Sequence, residues 1–463
     1  MASGSDKDWI CEASDVEKVY EMTHKRGTFL LVYKLHLSSL EKICEDQVRS
    51  ALTILARKCP NLRLCFGYKK ETLWFRHRSS EDIDFQVLEG VDDDHVRDDL
   101  QTYRYDSLAG PLWCARLMIN SEHDEYNLDT DFPFTAKFFL GIHHSITDGT
   151  TNIIICKGFV KILNDIISGN PIDEKSQMGS FISDVETDKI VALKMRELKK
   201  DTKLLHSIES SMSDMGLGMP TLLTVYPMPT GNQDKTGNLT HVLRETSTKK
   251  FIMKCKSEGV TLHSGLTALT LATKVKLLHG NRKVENSFRL IHGHVINLRR
   301  YWEGDASEAL GCHAHMPLNM STLVPNDVTS NFWEFTRHLH KDIQHHLKEE
   351  TVLYRDAYMM MNNNKDATFE DMFKPKSSGQ VDIVLSNLGD VTSIIGEGGP
   401  HVKPYLLVRH TSLNFTDIMN LGLFFHTFRG RLTFSLLYNS KFILKETAQK
   451  YFNEMFLLLE DLI

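Results

Sequence analysis

The chain has 463 residues, 41% hydrophobic and 25% charged, an ordinary globular composition long enough for two cores of roughly 200 residues each. A formal net charge of -6 leaves no basic footprint for nucleic acid, and no apolar window is long enough to span a bilayer. Its eight cysteines form no Cys-x-x-Cys pair, and the polar start from Met1 to Lys7 has no signal-peptide pattern, so reduced thiols and a cytoplasmic location are expected.

Taken in order, residues 29–37 are β-rich and predict a strand. Ser39 is expected to cap a helix from Leu40 to Lys58, with Ile43, Val48, Leu52 and Leu55 on one face and Pro60 ending it. Short strands are expected at 72–77 and 83–88, then an acidic helix from Asp92. A Gly110-Pro111 turn leads into a strand from Leu112 to Ile119, and a polar loop at 120–131 leads back. Next comes Phe138-Phe139-Leu140-Gly141-Ile142-His143-His144-Ser145-Ile146-Thr147-Asp148-Gly149, an apolar strand running into two histidines and a tight turn. A nearly all-apolar helix follows from Thr150 to Ile167, ending at Gly169. Residues 184–213 read as a charged helical stretch, and a crossover without periodicity occupies about 208–240. The second half predicts a strand at 239–246, helices at 248–257 and 258–276, a strand at 287–297 and a helix from Ser330 to Leu347. Strands at 381–387, 405–410, 421–428 and 431–438 and a closing helix from Lys445 to Leu462 complete it. Strands and helices mix without strict alternation, which points to an α/β fold of mixed sheets covered by helices.

The chemistry concentrates in His143-His144-x-x-x-Asp148-Gly149. Successive side chains on a strand point to opposite faces, so one histidine can face a site while its neighbour packs behind. Histidine titrates near ~6.5 and can accept a proton at neutral pH, and glycine after Asp148 permits the sharp turn. The joint pattern resembles the His-His-x-x-x-Asp-Gly active-site motif of the CoA-dependent acyltransferase superfamily. That superfamily includes the chloramphenicol acetyltransferases, the alcohol acyltransferases and the condensation domains of nonribosomal peptide synthetases. Further passages resemble it, among them Pro60-Asn61-Leu62-Arg63, Gly110-Pro111-Leu112-Trp113, Gly259-Val260-Thr261-Leu262 and Asn297-Leu298-Arg299.

The resemblance implies two chloramphenicol-acetyltransferase-like domains, 1–180 and 181–463, with an active-site channel between them. It casts His144 as general base, with His143 as a brace. Asp148 and Gly149 would hold the loop, through an arginine for which Arg299 is expected ahead of Arg300. Ser386-Asn387-Leu388-Gly389 resembles an element that lines the channel opposite the histidine, where Ser386 and Asn387 would serve the oxyanion or the acceptor. The implied reaction moves an acyl group from acyl-CoA, a co-substrate rather than a bound cofactor, to a hydroxyl or amine of a small molecule. A monomer is expected. The alternatives are a non-catalytic acyl- or lipid-binding protein and a thioester hydrolase. The Asp-Phe-Gly-Trp-Gly motif of the plant branch has no counterpart, since the corresponding Asn414-Phe415-Thr416-Asp417 lacks it. Cys312-His313-Ala314-His315 and His292-Gly293-His294 offer no complete zinc ligand set, so no metal is expected. No Gly-x-Ser-x-Gly elbow supports serine chemistry.

Overall fold

The strand Leu31–Ser39 and the histidine strand Phe134–Ile142 pair antiparallel along their full length, Leu31 opposite Ile142 and Ser39 opposite Phe134. Both are buried over most of their length; one face of each is apolar, while the other carries Lys34 and Lys137, which pair with Asp93. The computed structural model describes residues 8–119, 126–127, 129–213, 221–231, 234–279, 287–314, 318–362, 381–414 and 419–463. Around the histidine strand lies a five-stranded sheet in the order Val402–Thr411, Leu31–Ser39, Phe134–Ile142, Trp113–Ile119, Phe85–Leu88. A six-stranded sheet in the second half runs Leu318–Pro325, Ser287–His294, Ile383–Asp390, Leu421–Phe428, Arg431–Asn439, Thr236–Val242. Its strands Ser287–His294, Ile383–Asp390 and Leu421–Phe428 are mutually parallel. The result is the expected mixed-sheet α/β architecture.

Two large apolar cores follow. One surrounds the first sheet and includes Leu35, Leu55, Phe138 and Phe159; the other, beside the six-stranded sheet, includes Leu269, Leu385, Phe425 and Tyr451. A smaller cluster of Ile291, Val384 and Leu437 takes in Phe29 from the first half, so it marks the junction between the halves. The strand Val402–Thr411 pairs with Leu31–Ser39, although it lies far beyond residue 180. A cut in sequence at 180 therefore does not separate the sheets.

Several elements depart from expectation. Ser39 is the last residue of its strand, held in the ladder on both sides, and the helix begins only at Glu45. Cys44 precedes it, with the Gln47 side chain accepting the Cys44 N–H at 3.0 Å. Ile43 is buried, but in the loop before that helix. The helical stretch expected at 184–213 is two helices, Val185–Lys200 and Thr202–Ser213, because Asp201 Oδ1 accepts the N–H groups of Lys203 and Leu204 and restarts the turn. The strand expected at 287–297 ends at His294 and passes into the short 3-10 helix Leu298–Tyr301. The strands expected at 239–246 and 405–410 run over Thr236–Val242 and Val402–Thr411. Parts of the crossover, and the segment after Asn414, lie outside the described residues.

The element with most bearing on the histidines is the helix Asp15–Arg26, which the sequence reading left unassigned. Ser14 and Glu17 form a reciprocal capping box at its start, and Gly27, at φ 88°, closes its end.

Candidate active site

At the end of the histidine strand the His143 N–H still donates to the Leu112 carbonyl at 2.9 Å. The chain then turns through one 3-10 turn, His144–Ile146, before the helix Gly149–Ser168. The loop is pinned from behind: Asn61 Nδ2 donates to the Ile146 carbonyl at 2.6 Å, and Thr147 Oγ1 donates to Asn152 Oδ1 at 2.8 Å.

His143 is buried, 1% exposed. Its Nδ1 accepts the Ser145 N–H at 3.1 Å, so the ring proton sits on Nε2, which donates to Glu21 Oε2 at 3.1 Å. Ser107 Oγ also donates to Glu21 Oε2, at 2.8 Å, and Lys25 Nζ lies 3.1 Å from Oε1. Burial by itself would raise the Glu21 carboxyl; the His143 hydrogen bond, with Ser107 and Lys25, overrides it and brings the carboxyl down to about 2. His24 completes a buried group whose ligand-type atoms, with those of Glu21 and His143, lie within 4.8 Å of one another. That spacing suits a cation, but the lone pairs do not. His24 Nε2 accepts the Tyr105 N–H at 3.0 Å and His143 Nδ1 accepts that of Ser145, so both rings turn N–H groups toward Glu21. The cluster is an anchor for the helix Asp15–Arg26.

His144 is partly buried. Tyr20, one residue before Glu21, stacks on its ring at 3.9 Å between centroids and 2° between planes. Cys312 Sγ lies 3.5 Å from His144 Nδ1. Burial pushes the imidazole down to about 4, against the opposing pull of the backbone at His144 and Thr147 and of the Asp148 charge. The ring is therefore neutral at pH 7.

Asp148 does not reach His144 as a triad acid would. Its Oδ1 caps the helix by accepting the Thr151 N–H at 2.9 Å, and its Oδ2 accepts from Arg299 Nη1 at 2.6 Å and from the His313 N–H at 3.0 Å. Arg299, rather than Arg300, makes this contact; Nε also donates to the Ala309 carbonyl and Nη2 to Thr151 Oγ1, both at 3.1 Å. Burial would raise the Asp148 carboxyl, but the Arg299 charge holds it below the usual range. At Gly149 a Cβ would come within 2.4 Å of Leu388 Cδ2, so the missing side chain lets the helix start meet the end of the strand Ile383–Asp390.

That strand carries Ser386 and Asn387. Ser386 is paired with Phe424, which packs at the junction, and Asn387 with Phe425, which belongs to the second core. Alternation thus puts only Ser386 on the junction face. Asn387 points the other way, and its Oδ1 accepts the Gly389 N–H at 2.7 Å. Arg409 Nη2 donates to the carbonyls of Ser386 and Phe425, tying the first sheet to this strand.

Of the discounted histidines, His292 and His294 lie on the strand Ser287–His294, beside the second core. His263 Nε2, His294 and His292 form a chain of 2.8 Å contacts that ends on Thr322 Oγ1 at 2.9 Å, so their facing nitrogens are already used. His315 lies outside the described residues. Sequence reasoning missed Tyr20, Glu21 and His24, and weighed Cys312 only as a metal ligand. The capping box at Ser14 and Glu17 is a signal that could have located the first three; nothing local marks Cys312.

No protein-family profile matches the chain, and no curated protein matches it in sequence. Solved structures do match it in fold. Trichothecene 15-O-acetyltransferase from Fusarium sporotrichioides superposes with a TM-score of 0.69 at 11% identity, over 100% of this chain and 97% of that one. The epimerization domain from the third module of tyrocidine synthetase B gives 0.67 at 13% identity, over 99% of each chain. The condensation domain from Monacolin K polyketide synthase gives 0.65 at 13%, over 98% of each. The chain has the two-domain fold shared by these proteins along its whole length.

Proposed function

We propose that this protein is an acyltransferase that moves an acyl group from acyl-CoA to a hydroxyl or amine of a small-molecule acceptor. One observation carries the reading: His144 stands neutral and partly exposed at the end of its strand, while the neighbouring acid is fully engaged elsewhere. A neutral imidazole can take the acceptor's proton as it attacks the thioester carbonyl, and return it to the departing CoA thiolate. Ser386, on the junction face, would donate to the oxyanion or to the acceptor. The fold shared with an acetyltransferase and a condensation domain supports the reaction class. In this reading, the two domains, the first completed by the strand Val402–Thr411, enclose a channel, and a cytoplasmic monomer uses free acyl-CoA.

The test is thiol release from a panel of acyl-CoAs, with and without a pool of alcohols and amines, for the wild type and His144→Ala. Acceptor-dependent release that falls by about 10²–10⁴-fold in the variant is the expected result. Release independent of acceptor would make the protein a hydrolase. Unchanged acyl-CoA binding without any release would make it a binding protein.

A further inference from the structure

A cavity of about 270 Å³ lies where the two halves meet, on the face of the first sheet that carries Lys34. Lys34 and His410 reach it from that sheet, Arg97 from the helix Asp93–Gln101, and Asn238 and Thr240 from the strand Thr236–Val242. Its charges are unevenly matched inside. Lys34 and Lys137, on adjacent strands, both pair with Asp93, at 3.0 Å and 2.9 Å, so one carboxylate serves two ammonium groups. Arg97 is a third cation. Its own partners, Asp94 and Asp98, are 70% and 57% exposed, and pairs of that kind are worth about 0–1 kcal/mol, so another anion can replace them. His410 is 3% exposed, and its Nδ1 has no hydrogen-bond partner among the described residues, which is uncommon for a buried polar atom. The strand Thr236–Val242 is the last of its sheet, so one main-chain edge has no neighbouring strand.

We infer that this cavity binds a small organic anion, its phosphate or carboxylate group held by Arg97 and Lys34 and its body against Asn238 and Thr240. The anion supplies the negative charge that Asp93 alone does not. Burial already lowers the Lys34 ammonium below its ordinary value, with Asp93 opposing and Lys137 and Arg97 adding to the effect, so a second anion beside it is favoured. Burial, with the charges of Arg97, Lys34 and Arg409, keeps the His410 ring neutral. A neutral imidazole carries one N–H, which can donate to the anion without adding charge. The volume sets the size of the ligand: pockets for drug-sized molecules begin near ~300 Å³, so this one has room for a small metabolite and not for a peptide. Because its walls come from both halves, a bound anion ties the first sheet to the edge of the second. The site shares no residue with the surroundings of His144 and does not depend on the acyltransferase reading.

The experiment is a calorimetric titration of the full-length protein with inorganic phosphate and with malonate, each against sodium chloride at matched ionic strength. Saturable binding of at least one of the two anions beyond the chloride control is expected, and which of them binds tells a phosphate ligand from a carboxylate. Arg97→Gln should weaken that binding about tenfold. Thr240→Asp should do the same, since it adds a like charge to the cavity wall at an exposed strand edge where the fold has little to lose. Circular dichroism and thermal melting without anion check that each variant is folded. No saturable binding of either anion, or binding at wild-type strength in folded Thr240→Asp, would overturn the inference.

Discussion

At the scale of single residues, two side chains four positions apart have been given opposite tasks by their surroundings. His144 is pushed down to about 4 by burial, so its protonated form, which cannot act as a base, appears only in acid. The kcat/KM profile is expected to stay flat from neutrality down to about pH 5 and to fall through about pH 4, well below the ordinary histidine range near ~6.5. A pH–rate series checks this; a midpoint at the ordinary value would show that the ring is more solvated than its contacts indicate. Asp148 is structural in the same site. Asp148→Asn leaves Arg299 buried without its carboxylate, and removing one partner of such a pair costs about 3–5 kcal/mol. Chemical denaturation should therefore show the loss even if His144 is untouched, and Arg299→Lys should not escape it, since lysine cannot span Asp148, Ala309 and Thr151 together.

At the scale of elements, the helix Asp15–Arg26 decides how the two histidines stand. Adjacent residues on it meet adjacent residues of the motif: Tyr20 covers His144 and Glu21 holds His143. Its carboxylates have opposite consequences for stability. Glu21 is lowered to about 2 in the fold, so its contribution is full above the unfolded value near 4.5 and is lost as pH falls toward 2. The shift corresponds to about 3 kcal/mol. Glu17, raised to about 7 chiefly by burial, behaves the other way: it favours the fold below about 4.5 and that contribution is lost as pH rises through 7. Thermal melts from pH 3 to 8 are expected to show Glu21→Gln with a reduced acid loss and Glu17→Gln with a reduced loss between pH 5 and 7. Identical profiles in both variants and wild type would count against the helix as an ionic anchor.

At the scale of the whole molecule, the halves are sewn together by the strand Val402–Thr411. It pairs with Leu31–Ser39, and Leu407 joins the first core while Arg409 grips the strand Ile383–Asp390. A fragment of residues 1–180 would expose that sheet edge and leave part of its core uncovered. Such a fragment should be aggregated or readily proteolysed, and a stable monomer by sedimentation with native-like circular dichroism would argue for independent folding of the first half. The buried pair of Lys274 and Asp382 plays a comparable part inside the second half. Asp382 also accepts the N–H groups of Ile291 and Thr221 and so joins four elements.

The amino-acid sequence alone determined the histidine strand, the apolar helix after Asp148 and the mixed-sheet class. The turn expected at Asp148-Gly149 lies at His144–Ile146 instead, with Asp148 capping the helix and Gly149 its first residue. Each of the first three is written in local periodicity, in turn residues or in a motif whose spacing is itself the signal. It also singled out Arg299, because the passage Asn297-Leu298-Arg299 carries a resemblance of its own. Tertiary structure alone decided what touches the histidines. Glu21 meets His143 across 122 positions and Cys312 meets His144 across 168, and no periodicity reaches that far. The same holds for Asn387, turned from the junction by strand alternation whose phase depends on pairing with Leu421–Phe428, and for Ser39, kept in a sheet by partners on both sides instead of capping a helix. Propensity sets what a segment can become; the partners across the fold set which side chains meet, because burial and hydrogen-bond satisfaction are settled only when distant segments come together.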